Sequence, residues 1–143
     1  MNPLLPLHLL AVGCWIGCLV VETVVETSRD YGDEQPFLPA KLHRTIDLYV
    51  ELPILALLFV SGFLLIDWST LGGLLLVKVL CGTGAILANL GCAVVVFKRK
   101  RWADLRDADS VAAQNRNLQL VSALFFPLSL ATLAIGIHRL VSG

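Results

Sequence analysis

The chain has 143 residues, of which 57 % are hydrophobic and 15 % are charged, and its formal net charge is zero. Soluble domains carry about a quarter charged residues, and a mean hydropathy of +0.78 is typical of a chain embedded in lipid. The composition therefore excludes a soluble protein and indicates an integral membrane protein, and the neutral net charge gives no reason to expect nucleic-acid binding.

Four apolar stretches are long enough to cross a hydrocarbon core of roughly 30 Å, which takes about 20 helical residues. They predict an all-α fold: a single integral membrane domain over residues 1–143, built as a four-helix bundle with up-down-up-down topology. The first stretch lacks a basic n-region and a cleavage site, so we interpret it as a retained helix and not a signal peptide. The predicted spans are approximately 4–25, 46–66, 71–97 and 118–141.

The basic residues predict the orientation of the spans. Nine of the eleven lysines and arginines lie in two predicted loops, 26–45 and 98–117. Cytoplasmic loops are enriched in these residues, so we expect both loops in the cytoplasm and both termini in the periplasm of a bacterial inner membrane. The "KRKR" run is then a membrane-surface signal. The expected partners are the lipid bilayer and either a second copy of the chain or another membrane subunit.

The end of the first span, "VVETVVETSRD", places Glu22 and Glu26 one helical turn apart. Stepping back along the same face gives Cys18, Trp15 and His8. Ionisable side chains inside a membrane rarely face lipid. We therefore expect this face to point into the bundle.

The second span opens with "HRTIDLYVE", which places His43, Asp47 and Glu51 at positions i, i+4 and i+8 of one helical face. Counted from the basic residues at the interface, Glu22 and Glu51 both lie about 10 Å into the membrane, at 1.5 Å per residue. Four carboxylates and one imidazole are thus predicted to converge near the cytoplasmic end of the bundle.

Acids so close together in a low dielectric need cations or protons. One possibility is a set of salt bridges, and another is a proton or ion pathway. The third is a site for one or two transition-metal ions, because carboxylates and imidazoles on facing helices bind such ions in dimetal bundles, although the usual Glu-x-x-His pair is absent here. The candidate salt-bridge cations are Arg29, Lys41, Arg44 and Arg116.

On the metal hypothesis, oxygen-rich ligation favours iron, manganese or zinc over Cu(I). A redox-active ion would make the protein a membrane oxidoreductase acting on quinone or oxygen, and a redox-inert ion would suit metal transfer. The expected orienting partners are Asn89, Asn117 and Gln119. The candidate ligands are Glu22, Glu26, His43, Asp47 and Glu51.

His8 and His138 lie near the opposite end of the bundle, where a b-type heme with two axial histidines is an alternative cofactor. Lys78, inside the third span, is positioned to pair with Asp67. Pro53 is expected to kink the second helix, and Pro127 the fourth.

The segment "LHLLAVGCWIGCLVV" resembles the first helix of copper-resistance protein D-type membrane proteins, with a Leu-His-Leu-Leu run and a Trp-x-Gly seven residues after the histidine. "LGGLLLVKVLCGTGAILANLG" is similar to that family's third helix, and "NRNLQLVSALFFPLSLATLAI" to its last. The HemJ-type protoporphyrinogen oxidases share this outline. The positions that match them are His8, Leu48, Tyr49, Pro53, Gly62 and Lys78.

The resemblance implies a four-helix membrane protein that handles heme or copper, a copper transport protein being one form. It implies His8 and Lys78 as functional residues. The acidic faces of the first two spans are separate from it.

Overall fold

A computed structural model describes residues 3–27 and 37–142, and all regular structure in these two ranges is helical. The third and fourth membrane helices are continuous, whereas a π-helical turn, Asp47–Glu51, divides the second into two parts. The helices are α1 (Leu4–Thr27), α2 (Leu38–Ile46), α3 (Leu52–Leu64), α4 (Gly73–Asp104) and α5 (Ala108–Ser142).

Four helical segments are long and apolar enough to cross a membrane: Leu4–Thr27, Leu38–Leu64, Gly73–Asp104 and Ala108–Arg139. The predicted all-α, four-helix membrane fold is therefore confirmed. The up-down-up-down order across the bilayer stays a prediction.

The second and fourth membrane helices begin earlier, and the first and third end later, than the sequence analysis placed them. The second begins at Leu38, with Pro39 in its first turn, where a missing N–H is tolerated. The predicted loop 98–117 is largely helical, because "KRKRWAD" contains good helix formers and no glycine or proline. Only a short turn separates α4 from α5.

That turn is fixed by two residues. Arg106 adopts a left-handed conformation (φ 56°), which turns the chain away from the axis of α4. The side chain of Asp107 then accepts hydrogen bonds from the Ser110 N–H (3.0 Å) and hydroxyl (2.8 Å), and these hold the pKa of Asp107 below its usual value. Asp107 thus caps the start of α5.

The π-helical turn precedes Pro53, where a kink is predicted. Proline lacks an N–H, and its ring clashes with the carbonyl four residues earlier, here that of Tyr49. The backbone responds by widening, and the Leu52 N–H donates to the Asp47 carbonyl five residues back. Asp47 and Glu51 both lie in this turn and are both buried. Such turns are frequent at functional sites.

Three side-chain contacts join the first membrane segment to the second: His8 with Ser61, Trp15 with Glu51, and Glu26 with His43. Along this series the residue numbers rise in the first segment and fall in the second. A first apolar cluster joins α2, α4 and α5 through Ala40, Ala103 and Val111, with Phe37 and Trp102 against it. A second joins α4 to α5 through Cys92, Val96 and Leu118.

We predict that Gly84→Leu destabilises the bundle and Gly13→Leu does not. A Cβ on Gly84 would lie 3.3 Å from Leu128 Cδ1 in α5, whereas nothing lies within 4 Å of one on Gly13. Overpacking of this kind typically costs about 1–3 kcal/mol. Thermal unfolding in detergent checks this, and equal melting temperatures for the two variants would contradict the close approach of α4 and α5.

Candidate metal site

His43 is the centre of the acidic cluster. Its Nδ1 lies 2.7 Å from Glu26 Oε1, and its Nε2 lies 3.6 Å from Glu22 Oε2 and 3.4 Å from Asp47 Oδ1. Nδ1 thus faces Glu26, and Nε2 faces the other two carboxylates. The predicted convergence of α1 and α2 is therefore present in the structure.

Glu22, His43 and Asp47 each offer a ligand atom, and these atoms lie within 4.8 Å of one another. All three residues are buried, and Glu22 Oε1 and Asp47 Oδ1 accept no hydrogen bond in the described part of the chain. A buried carboxylate oxygen normally has a partner. This group is called the triad below.

Two of the three donor separations match those around a single ion. Bonds of about 2.0–2.2 Å to nitrogen and oxygen, at a tetrahedral angle, place neighbouring donor atoms about 3.3–3.6 Å apart. The distances of 3.4 and 3.6 Å from His43 Nε2 agree with this spacing. They exceed the usual length of a charge-assisted hydrogen bond, about 2.7–2.9 Å.

Glu26 lies outside the triad and supports it. One of its oxygens accepts from His43 Nδ1 and also from Arg99 Nη1, at 2.5 Å. A carboxylate on the far nitrogen of a ligating histidine is the usual means of fixing its tautomer and orientation. The geometry thus separates Glu26 from the other predicted ligands.

Glu51 also has partners of its own. Its Oε1 accepts from Asn89 Nδ2 at 2.8 Å and from Trp15 Nε1 at 3.2 Å. Asn89 thus contacts Glu51, one of the predicted ligands, and its orienting role stays a prediction. The other two predicted orienting residues lie elsewhere: Asn117 donates to Gln114 at 3.4 Å, and Gln119 is exposed.

Arg99 is the cation that the sequence analysis missed. It is 2 % exposed, and it belongs to the "KRKR" run that was interpreted as a membrane-surface signal. A signal was present, because Asn89, Val96, Arg99 and Ala103 follow one another at helical spacing and all are buried. Extending that face past the apolar span would have identified Arg99.

Three of the four cations that were predicted to pair with the acids are placed elsewhere. Lys41 Nζ lies 4.0 Å from Asp104, and the Arg44 guanidinium lies 5.7 Å from the centre of the Phe97 ring. Arg116 is exposed. Arg29 lies outside the described residues.

The two predicted heme ligands have different surroundings. His8 is half-buried between α1 and α3, where its Nδ1 lies 2.9 Å from the Ser61 hydroxyl and its ring packs against Gly62. The Ser61 hydroxyl donates to the Leu57 carbonyl, so it accepts from His8. His138 is on the exposed surface of α5.

Lys78 does not have the position predicted for it. Its Nζ reaches the backbone of α5, where a Cβ on Gly136 would lie 3.4 Å away. Asp67 instead accepts from the Ser69 hydroxyl (2.6 Å) and N–H (3.0 Å), and these bonds hold the pKa of Asp67 below its usual value. The predicted Lys78–Asp67 pair is thus replaced by a local turn.

The charges of the cluster do not balance. Its four carboxylates share one guanidinium among the residues that the structure describes, and burying an unpaired carboxylate costs far more than a hydrogen bond restores. Further cations or protons at the triad would relieve this cost. The cluster consists of Glu22, Glu26, His43, Asp47, Glu51 and Arg99.

The chain matches no protein-family model, no curated protein and no solved structure in the comparisons made. The chemistry of the site is therefore argued from its geometry.

We predict that Arg99→Met lowers the free energy of unfolding by about 3 kcal/mol or more, because it leaves Glu26 charged beside His43 with no guanidinium. Arg101→Met, two residues along and exposed, is the matched control and should be nearly neutral. Denaturation in detergent measures both.

Adding Glu26→Leu to Arg99→Met should recover part of the lost stability, since it removes the carboxylate left unpaired. If Arg99→Met is as stable as Arg101→Met, the buried ion pair does not hold α1 to α4.

Proposed function

We propose that this protein is an integral membrane metalloprotein that binds one divalent transition-metal ion through Glu22, His43 and Asp47. The observation that carries the proposal is the triad: three buried ligand atoms within 4.8 Å, two of whose carboxylates retain an unpartnered oxygen. An ion there would supply positive charge to the buried carboxylates, one of the two ways in which their charge can be neutralised. The chain's membrane character supports a site shielded from water.

Each residue of the cluster has a distinct role in this proposal. His43 binds through Nε2, and Glu22 and Asp47 contribute carboxylate oxygens. Glu26 positions the imidazole by accepting from Nδ1, and Arg99 keeps Glu26 ionised. Asp47 follows His43 by one turn of α2 and lies where the π-helical turn begins.

The donor set favours particular metals. Two carboxylates and one imidazole suit iron, manganese or zinc, and they disfavour Cu(I), which prefers thiolates. Iron or manganese would supply one-electron chemistry when bound, and zinc would supply Lewis acidity. The engagement of Glu51 with Asn89 and Trp15 favours one ion over two.

The membrane setting of the proposal follows the distribution of basic residues. We propose that the triad lies near the cytoplasmic face of a bacterial inner membrane, with both termini in the periplasm. Association with a second copy or a partner subunit also remains a proposal, as do the resemblance to the copper-resistance protein D and HemJ families and the heme alternative at His8 and His138.

We predict that the protein purified without added metal carries iron, manganese or zinc close to one ion per triad. Glu22→Gln and Asp47→Asn should each remove most of it, because each replaces a charged ligand with a neutral amide. Elemental analysis by mass spectrometry measures the content. Asp104→Asn, an exposed acid outside the triad, is the control and should retain the metal.

Glu51→Gln should also retain the metal, which separates the triad from the wider acidic cluster. Metal retained in a Glu22→Gln/Asp47→Asn double variant would reject the proposal. A Soret band that is lost with His8→Ala would instead favour the heme alternative.

A further prediction distinguishes a positioning residue from a ligand. Glu26→Gln should weaken metal binding by about 10–100-fold without abolishing it, as expected for a partner of a ligating histidine. Titration of the metal-free protein with Co²⁺, followed by its visible absorption, measures the affinity. Complete loss of binding would place Glu26 among the ligands.

A further inference from the structure

A second group of ionisable side chains lies at the distal end of the bundle, where α1 begins and α5 ends. Its central member is Lys78, five residues after Gly73 and therefore about 7–8 Å along the axis of α4. The surrounding sequence, "LLLVKVL", is otherwise apolar, and the lysine is half-buried. Ionisable residues inside a membrane segment are costly and usually have a partner, so the partner of Lys78 must be identified.

The ammonium group of Lys78 is directed toward α5. Its Nζ and Cε would lie 3.4 and 3.5 Å from a Cβ on Gly136, so the space that the lysine occupies exists because this residue has no side chain. Arg139 follows Gly136 by three residues and is therefore its neighbour on the surface of α5. The charge of Arg139 acts on that of Lys78.

His8 adds a third helix to this end of the bundle. The charge of Lys78 acts on the imidazole, whose Nδ1 lies 2.9 Å from the Ser61 hydroxyl. A Cβ on Gly62 would lie 3.2 Å from the imidazole Cε1, so a glycine again leaves room for the ring. Side chains and glycines from all four membrane segments thus surround the distal end.

The distal group contains basic side chains without an acid. Neither Lys78 nor Arg139 makes a salt bridge with any residue that the structure describes. Asp67, the acid predicted to pair with Lys78, accepts hydrogen bonds from Ser69 instead. Like charges that face each other outside bulk water disfavour each other, and an anion between them offsets that cost.

The distribution of charge in the sequence makes this meeting unusual. Lys78 and Arg139 are the two of the eleven basic residues that lie outside the loops 26–45 and 98–117. The preference of basic residues for cytoplasmic loops therefore does not account for either of them. They are far apart in the sequence, and the packing of α4 against α5 brings their charges together.

We propose that Lys78 and Arg139 form a binding site for a phosphate group at the distal end of the bundle. The planar guanidinium of Arg139 can donate to two phosphate oxygens, and the ammonium of Lys78 acts as a point charge on a third. One phosphate can reach both, because Lys78 Nζ lies against Gly136 and Arg139 is on the next turn of α5.

Two sources supply this chemistry at a membrane surface: the head group of an anionic phospholipid and a free phosphate ion. The site is separate from the triad, so the proposal does not depend on whether the triad binds metal. Its test therefore requires no metal measurement.

The test uses the full chain, stripped of lipid in dodecyl maltoside, with phosphatidylglycerol and inorganic phosphate as probes. Native mass spectrometry measures the bound lipid, and isothermal titration calorimetry measures phosphate. Lys78→Gln/Arg139→Gln should weaken the tightest site by about tenfold or more for each charge-assisted hydrogen bond lost. Lys98→Gln/Arg101→Gln is the matched control, because it removes the same charge from two exposed residues of α4 and should leave that site intact.

A second pair of variants keeps both cations. Gly136→Val places a branched side chain where Lys78 Nζ lies and should weaken binding by about tenfold, the loss expected for one charge-assisted hydrogen bond. Gly13→Val is its control, because nothing lies within 4 Å of a Cβ there, and it should bind as the unaltered chain does.

The two probes also distinguish the sources of the phosphate. Phosphatidylglycerol that inorganic phosphate does not displace would support the proposal with a lipid head group as the ligand. Displacement by inorganic phosphate would support it with the free ion. The proposal is overturned if neither probe binds, if the two charge variants lose binding equally, or if Gly136→Val binds like Gly13→Val. Tighter binding of decanoate than of both probes would overturn it in favour of a carboxylate ligand.

Discussion

The buried contact of Arg99 with Glu26 is the constraint on which the arrangement depends. It joins α4 to α1 at 2.5 Å, and through the shared Glu26 oxygen it reaches His43 on α2. Three of the membrane segments thus meet at one oxygen atom. Without the Arg99 guanidinium, every charge of a fully ionised acidic cluster would be buried without a cationic partner, which costs several kcal/mol of free energy for each ion.

The backbone contributes a second constraint at Pro53. In an uninterrupted α-helix, residues four positions apart are offset by about 40° around the helix axis. Asp47 and Glu51 would then lie progressively further around the helix from His43. The π-helical turn changes this progression where both acids lie. Asp47 remains near His43, while Glu51 meets Asn89 and Trp15 on the neighbouring helices. Two acids that the sequence presents as equivalent thus have different partners.

The acidic cluster is packed more closely on some sides than on others. The Ala40, Ala103 and Val111 cluster packs the end of α4 against α2 and α5, and the Val96 cluster packs α4 against α5 deeper in the bundle. Between α1 and α5 the packing is looser, and Glu26 lines an open groove there together with residues of α5. The same carboxylate contacts His43 on its inner side.

The sequence by itself determined the membrane class, the four spans, and the acids and histidine that face the interior, because lipid imposes helices and excludes unpaired charge from its surface. It also named Asn89 as a partner of the acids. Only the tertiary structure distinguished the triad from Glu26 and Glu51 and identified Arg99 as the buried cation. The reason is physical: helical periodicity specifies which face a residue lies on, but not which atom of a neighbouring helix it meets. A basic residue at a membrane boundary can either extend to the surface or turn inward, and the acids on the adjacent helices decide between them.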